Sequence, residues 1–452
     1  MKVYYPSIFN NVIGPVMRGP SSSHTAAALR IGKLGLILLG ETPSRAVFRF
    51  DPNGSLATTY RGQGSAMGLA AGLLGMEISD PEMINAENIC SERGMEIEYR
   101  IEETGDSHPN TYVTYLQGSS GEVSFRAVST GGGMVRLVEL NGKPVEKDSE
   151  YINQLLPVKI KENPVLAFSS PSMLESLASD RKLSDFALEW ETAVGDVSSD
   201  EVYSLAVSHM AIIRESYESG MAGTDYEDRI LGRQSHLLKK APIKGDLIPA
   251  GLTNRIIEAV TAIMETKSSM GLIVAAPTAG SAGAIGGVLL AVAELTGKTE
   301  DKIARSLLAA GMTGVFIALE GGFAAEEGGC QYECGAASGM AAAALTELMG
   351  GDAVMAMNAA SMALQNTLGM ICDPVANRVE VPCLGKNIMA AQNALSACNM
   401  IIAGFNHVIP LEEVIRAMKD VGTNMDHRFR CTCKGGLSIT DTARRIDKEI
   451  NK

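Results

Sequence analysis

The sequence is short of aromatic side chains, at 5% with a single tryptophan, Trp190, and short of cations, with 39 Lys plus Arg against 52 Asp plus Glu and a formal net charge of −13. An acidic surface repels phosphate and anionic lipid, which excludes nucleic acid and membrane surfaces as partners and leaves a small ligand held by local features. Eight cysteines in 452 residues fall far below a secreted disulfide scaffold. The opening MKVYYPSIFNNVIGPV also lacks the charged-then-apolar pattern of a signal peptide. The expected compartment is therefore the cytoplasm, where thiols stay reduced.

Apolar residues, in contrast, make up 46% of the chain, with 47 Gly and 23 Met. That supports a large core divided over two or three domains. With so little aromatic bulk, the core is expected to consist of closely packed Ala-, Gly- and Met-rich helices. Ser268 to Ala293 carries no charge over 26 residues and is long enough to span a bilayer. Its middle, Ala276-Pro277-Thr278-Ala279-Gly280-Ser281-Ala282-Gly283, is a turn-and-cap sequence that would strand backbone groups in lipid. The reading is a short apolar run, a tight loop and a buried helix.

From Ala46 the first third alternates β-branched or aromatic runs with turns: AVFRFD, LATTYRG, MEIEYRIEE, NTYVTYLQ and VSFRAVS are all read as strands of one sheet. Helical stretches are expected over Thr25 to Leu39 and Ser65 to Leu74. Residues 171 to 240 are charged and helical in period, as helices that connect and partly cover the domains. From Leu247 to Val421 the chain is Ala, Leu and Met with Gly punctuation, and no strand is expected. The fold class is thus an α+β N-terminal domain (1–165), a helical connector (166–240) and an all-α C-terminal domain (241–452).

Of six histidines, His24 and His108 lie in loop-like, small-residue surroundings. His24 ends Gly19-Pro20-Ser21-Ser22-Ser23-His24-Thr25, directly before a helix. One N-cap explains one hydroxyl. Three serines and a histidine exceed that need and suit a carboxylate ligand beside an acid-base group. The loop Pro277 to Gly283 is a second anion candidate, with Ser281 capping the next helix, although tight packing of small residues explains the glycines as well. Among the cysteines, Cys330 and Cys334 are one helical turn apart, Cys372 precedes Asp373-Pro374, and Cys383 follows Pro382. Loop-borne thiols flanked by Pro and Gly are better ligands than core thiols, favouring Cys330, Cys372 and Cys383 over Cys398. Three thiolates on a four-iron cluster would leave one iron open for Lewis-acid chemistry.

The runs VIGPVMRGPSSSHTAAALRIG, VAAPTAGSAGA, GGCQYECGAASGMAAAAL and LGMICDPVANRVEVPCLGKNIMAAQNA closely resemble the iron-sulfur L-serine dehydratases, or L-serine ammonia-lyases, over most of residues 6 to 440. The resemblance implies that the β and α domains of that family are fused here. It implies an oxygen-sensitive 4Fe-4S cluster on Cys330, Cys372 and Cys383, and elimination of the β-hydroxyl of L-serine to give pyruvate and ammonia. It further implies a substrate site of Ser21, Ser23, Thr278, Ser281 and Asn110, with His24, His108 and Ser281 as catalytic candidates. Cys334, Cys431 and Cys433 receive no role. A homodimer is compatible with the helical composition.

Departures from the family accompany the resemblance. Gly62-Gln63-Gly64-Ser65-Ala66 stands where the family has a Gly-His-Gly-Thr-Asp-like run, and Asn366-Thr367 replaces a His-Asn pair. Glutamine takes no proton at neutral pH, so these changes bear on the base or on the substrate. The same chemistry on threonine or cysteine, or an amino-acid-binding sensor without turnover, are the alternatives. Pyridoxal-phosphate elimination through Lys267 would leave the three motif cysteines idle.

Overall fold

The alternating runs of the first third do pair into one sheet, and the sequence beyond it is helical. In the computed structural model, which describes residues 5–240 and 245–450, eight strands occur among the described residues: β1 (Val16–Met17), β2 (Arg45–Phe50), β3 (Glu96–Ile101), β4 (Thr111–Gln117), β5 (Glu122–Gly131), β6 (Met134–Leu140), β7 (Lys143–Pro144) and β8 (Ile273–Val274). Six of them form a sheet in the order β3-β2-β4-β5-β6-β7, with β2 and β3 parallel and the other pairs antiparallel. The tight turn between β5 and β6 is Gly131-Gly132-Gly133, whose φ values of 91°, 59° and 82° are accessible to glycine at little cost. The helices Ala27–Leu39 and Ser65–Leu73 belong to this α+β part, and Phe48, Phe50, Tyr112, Leu116 and Phe125 contribute to their shared core.

Two expectations fail. LATTYRG is not a strand: Leu56–Thr59 is a helical turn, braced by the Thr59 hydroxyl on the Ser55 carbonyl at 2.7 Å. Its β-branched pair satisfied the strand pattern, but the hydroxyl offers a local backbone bond that a strand would not use. The second half does contain a strand, β8, which pairs antiparallel with β1 (Val16↔Val274, Met17↔Ile273). Two residues are too few to show a period. That small ladder matters more than its length suggests, because it ties the segment leading into Ser21–His24 to the segment leading into Pro277–Gly283.

The helical half has its own, larger core. Helices at Leu183–Val194 and Ser199–Ala222 contribute Phe186, Trp190, Met210 and Ile213 to it, and the N-terminal turn Ile8–Val12 inserts into it. Glycines make room for that insertion: a Cβ on Gly311 would lie 2.6 Å from Ile8 Cγ2. Two helical stretches, Ala279–Thr296 and Glu300–Glu320, are long and apolar enough to cross a membrane, but 83% and 78% of their apolar windows are buried inside the protein. They are the close-packed core helices that the composition called for.

The inserted turn is anchored by Glu191, whose carboxylate accepts from the Ser7 hydroxyl and from the Ile8 and Phe9 amides. Burial raises this carboxyl from 4.5 to about 7, against the pull of those donors. A folded value above the unfolded one means that folding favours the protonated form. The stability contribution is therefore complete below about pH 4.5 and is lost as pH rises through about 7. Glu191→Gln is expected to flatten the wild-type fall in melting temperature between those limits, and an unchanged slope would reject the assignment.

Candidate active site

The β1–β8 ladder places two polar helix entrances side by side. Ser21 caps its turn by accepting from the His24 amide at 3.3 Å, and Ser22 Oγ crosses to accept from the Ala279 amide at 3.2 Å. Ser23 Oγ donates to Glu326 Oε1 at 2.8 Å. His24 is fully buried, with Nδ1 at 3.1 Å from Ser21 Oγ and 3.2 Å from Ser23 Oγ, and Nε2 at 2.8 Å from Thr59 Oγ1. Burial pushes its imidazole below the usual value, with Glu326 partly opposing. In the second loop, Thr278 Oγ1 donates to Glu333 Oε1 at 2.7 Å. Ser281 Oγ is engaged inside its own loop, close to the Ala276 and Thr278 carbonyls and accepting from the Thr278 amide at 3.3 Å.

Below these loops the thiols converge. Cys330 opens a single helical turn, and Gln331 beside it latches that turn to the Cys372 loop: Gln331 N donates to Met370 O at 3.0 Å, and Gly369 N to Gln331 Oε1 at 2.9 Å. One donor atom each from Cys330, Glu333 and Cys372 lie within 4.8 Å of one another. Cys383 starts the Cys383–Ile402 helix and is buried near them without joining that tight trio. All eight cysteines are free. Hydrogen bonds from the Cys334 and Cys372 thiols hold Cys330 well below the usual thiol value, with Lys386 adding to the effect, whereas burial raises Cys383.

Several side chains that the sequence reading left unassigned stand in this cluster. Lys386, three residues after Cys383 and so on the same helix face, donates to Ile371 O at 2.6 Å and to Asp373 Oδ1 at 2.9 Å. Burial works against its ammonium, but the sulfurs of Cys330, Cys372 and Cys383 outweigh that and raise its value. Cys431 hydrogen-bonds through its amide to the Cys372 carbonyl at 3.1 Å, and Gln63 Nε2 reaches its sulfur at 3.6 Å. Cys334 packs its thiol beneath Asn387 Nδ2 at 3.5 Å. Lys267 is wholly buried and donates to the Val379 carbonyl, and burial lowers its value. A Cys-x₂-Glu spacing was the available signal for Glu333; nothing in the sequence pointed to Cys431.

The departures from the family pattern are also visible. Gln63 donates to Asn377 Oδ1 at 3.1 Å, bridging the α+β part to the loop after Cys372. Asn366 bonds Asn393 at 2.7 Å, and Thr367 turns back onto Leu364 O. His108 is half-buried; its Nδ1 accepts from the Asn110 amide at 3.2 Å and its Nε2 lies 3.3 Å from Glu327 Oε1. Asn110 is fully buried, and both polar atoms of its side chain have no hydrogen-bond partner.

Free thiols, a buried ammonium and carboxylates under hydroxyl-bearing loops are compatible with a metal cofactor and define an enzyme for a small polar substrate. The serine dehydratase alpha chain family matches residues 133–438, and the chain belongs to that family. The probable L-serine dehydratase alpha chain of Bacillus subtilis is 35% identical over 268 residues, which is 59% of this chain and 89% of that protein. The L-serine dehydratase of Streptomyces coelicolor is 30% identical and that of Mycobacterium tuberculosis 28%, each alignment covering 93% of this chain and 96% and 95% of the relative. The α+β part therefore has its counterpart in single-chain relatives.

Proposed function

We propose that this chain is an iron-sulfur-dependent lyase that removes the β-hydroxyl of L-serine and releases pyruvate and ammonia. The observation that supports it most is the meeting of Cys330, Cys372 and Glu333 under the Ser21–His24 and Thr278–Ser281 loops, in a chain whose full-length relatives are named for that reaction. On this reading residues 1–165 bring the serine-rich loop, 241–452 hold the thiols, and 166–240 join them. Cys330, Cys372 and Cys383 would hold a 4Fe-4S cluster: three free, buried thiols on loop or helix-start positions, with the half-buried Lys386 ammonium beside them, suit an anionic sulfur-ligated group. When bound, the cluster supplies a Lewis-acidic iron for the substrate hydroxyl.

The chain's own residues do the rest. Thr278, tied to the half-buried Glu333, and Ser23, tied to the buried Glu326, hold the two loops against the thiols. His24 stands neutral near pH 7 because of its burial, which is the form that accepts a proton, and Ser21 Oγ at Nδ1 and Thr59 Oγ1 at Nε2 orient its ring. Loss of the α proton and of hydroxide leaves an enamine, which water converts to the 2-oxo acid and ammonia. Glu333 pairs with Thr278 Oγ1 through one oxygen and faces the Cys330 sulfur with the other at 3.8 Å.

Anaerobically reconstituted full-length protein should release pyruvate from L-serine in preference to the corresponding products from threonine or cysteine. His24→Asn should lower kcat by roughly a hundredfold or more, the usual share of a positioned acid-base group, with the cluster absorbance intact. A reconstituted protein that carries a cluster and turns over none of the three amino acids would reject the reading.

A further inference from the structure

We infer that Glu326 receives the α-ammonium group of the substrate, an assignment that rests on the amino-acid lyase reading above and names the residue that makes the site one for amino acids. Glu326 lies in the short helix Ala325–Gly328, four residues before Cys330. Its side chain is 2% exposed. Oε1 accepts the Ser23 hydroxyl at 2.8 Å, whereas Oε2 is buried without any hydrogen-bond partner.

The charge balance around it is as unusual as the hydrogen bonding. Among the described residues, its ion-pair partner within reach is His24, at 3.5 Å. Burial holds that imidazole below its ordinary value, so near neutral pH it offers no positive charge. A buried carboxylate with an idle oxygen and no cation is among the costliest arrangements a fold can hold, and the cost is relieved when a ligand brings the cation. The neighbouring carboxylates do not share this condition. Glu333 accepts from Thr278 Oγ1 through one oxygen and stands among the thiols with the other, 3.8 Å from the Cys330 sulfur, and Glu327 is partly exposed beside His108.

A second orphan is tied to the same serine loop. Asn110, fully buried with an unpartnered amide, accepts the Ser129 amide on its backbone carbonyl at 3.0 Å; Ser129 Oγ donates to Ser23 O at 2.8 Å, and Ser23 Oγ reaches Glu326. An anionic oxygen and a carboxamide left open around one loop complement a zwitterion: the ammonium to Glu326, and a carboxylate oxygen to the amide N–H groups of Asn110.

Rapid mixing of the reconstituted full chain with L-serine and with 3-hydroxypropanoate, which lacks only the ammonium, followed by cluster absorbance before turnover, measures both affinities and tests the assignment. Wild type should bind serine at least ~30-fold more tightly, and Glu326→Gln should weaken serine by a similar factor while leaving 3-hydroxypropanoate within about twofold, as truncation of a buried charge partner does. Glu326→Asp, which keeps the charge but draws it back by one methylene, should weaken serine selectively over 3-hydroxypropanoate and serves as the second variant should Glu326→Gln fold poorly. Equal weakening of both ligands, an unchanged serine affinity, or no discrimination by wild type, as a carboxylate satisfied by water alone would give, overturns the inference. Pyruvate release is scored separately: serine discrimination without pyruvate would reject the elimination reading and leave the ammonium site standing.

Discussion

Cys330→Ser and Cys372→Ser are each expected to abolish the iron-sulfur absorbance of reconstituted protein and to lower kcat/KM by about a thousandfold or more, since a Lewis-acidic metal is worth several kcal/mol to a leaving hydroxide. The two loops that carry these thiols are latched to one another by Gln331, through Met370 O and Gly369 N, and the hydrogen bond between the Cys372 and Cys330 side chains is one that a serine hydroxyl can still make. The loss should therefore appear in iron content and not in the melting temperature of the metal-free protein. Cys383→Ser should behave in the same way, although its sulfur stands outside the tight trio. Cys398, buried in the helical core with Thr346 beside it, and Cys90, whose thiol sits at 3.7 Å from Ala70 O, supply the contrast. Serine at either position should leave iron content unchanged. Cys334 and Cys431 are the informative intermediates, because both contact the proposed ligands. Iron measured on all seven single variants distinguishes a three-thiol site from one that recruits either of them, and full iron retention in Cys330→Ser would overturn the ligand assignment.

The thiol loops and the two helix entrances were legible in the sequence because their signals are local. A run of three serines before His24 exceeds one cap, and Pro or Gly beside Cys330, Cys372 and Cys383 marks loops. Glu326 was not legible. Its neighbour Glu327 looks equivalent on paper, and only the crossing of the Ser21–His24 loop over the Ala325–Gly328 helix buries one and leaves the other at the rim. Cys431 was missed for the same reason: its place beside Cys372 is set by a backbone bond across 59 residues of chain. The error at Leu56–Thr59 ran in the opposite direction. There a local β-branched pattern was overridden by a side-chain to backbone bond from Thr59, the residue that also positions His24 Nε2.

Gly72→Leu is expected to destabilise the α+β part by at least about 3 kcal/mol, the upper range for overpacking a tight core. The helices Ala27–Leu39 and Ser65–Leu73 cross through glycine on both sides: a Cβ on Gly72 would strike the Leu29 carbonyl and lie 2.7 Å from Gly32 Cα, and one on Gly32 would lie 2.5 Å from Leu69 O. Backbone atoms cannot rotate aside as a side chain would. Gly72→Ala decides the sign: at an open helical position, alanine in place of glycine stabilises by about 0.5–1 kcal/mol through backbone entropy, whereas here even one methyl should destabilise. The consequence extends to the site, since the first helix follows directly on His24 and the second on Gln63 and Gly64. Prising them apart lengthens the 2.8 Å contact of His24 Nε2 with Thr59 Oγ1 and the 3.0 Å bond of Thr25 Oγ1 to Gln63 O. Urea denaturation of Gly72→Ala measures the first effect and its kcat the second. A midpoint at or above wild type would show that the helices have slack, and that the glycine-rich composition is not what lets this aromatic-poor core close around His24.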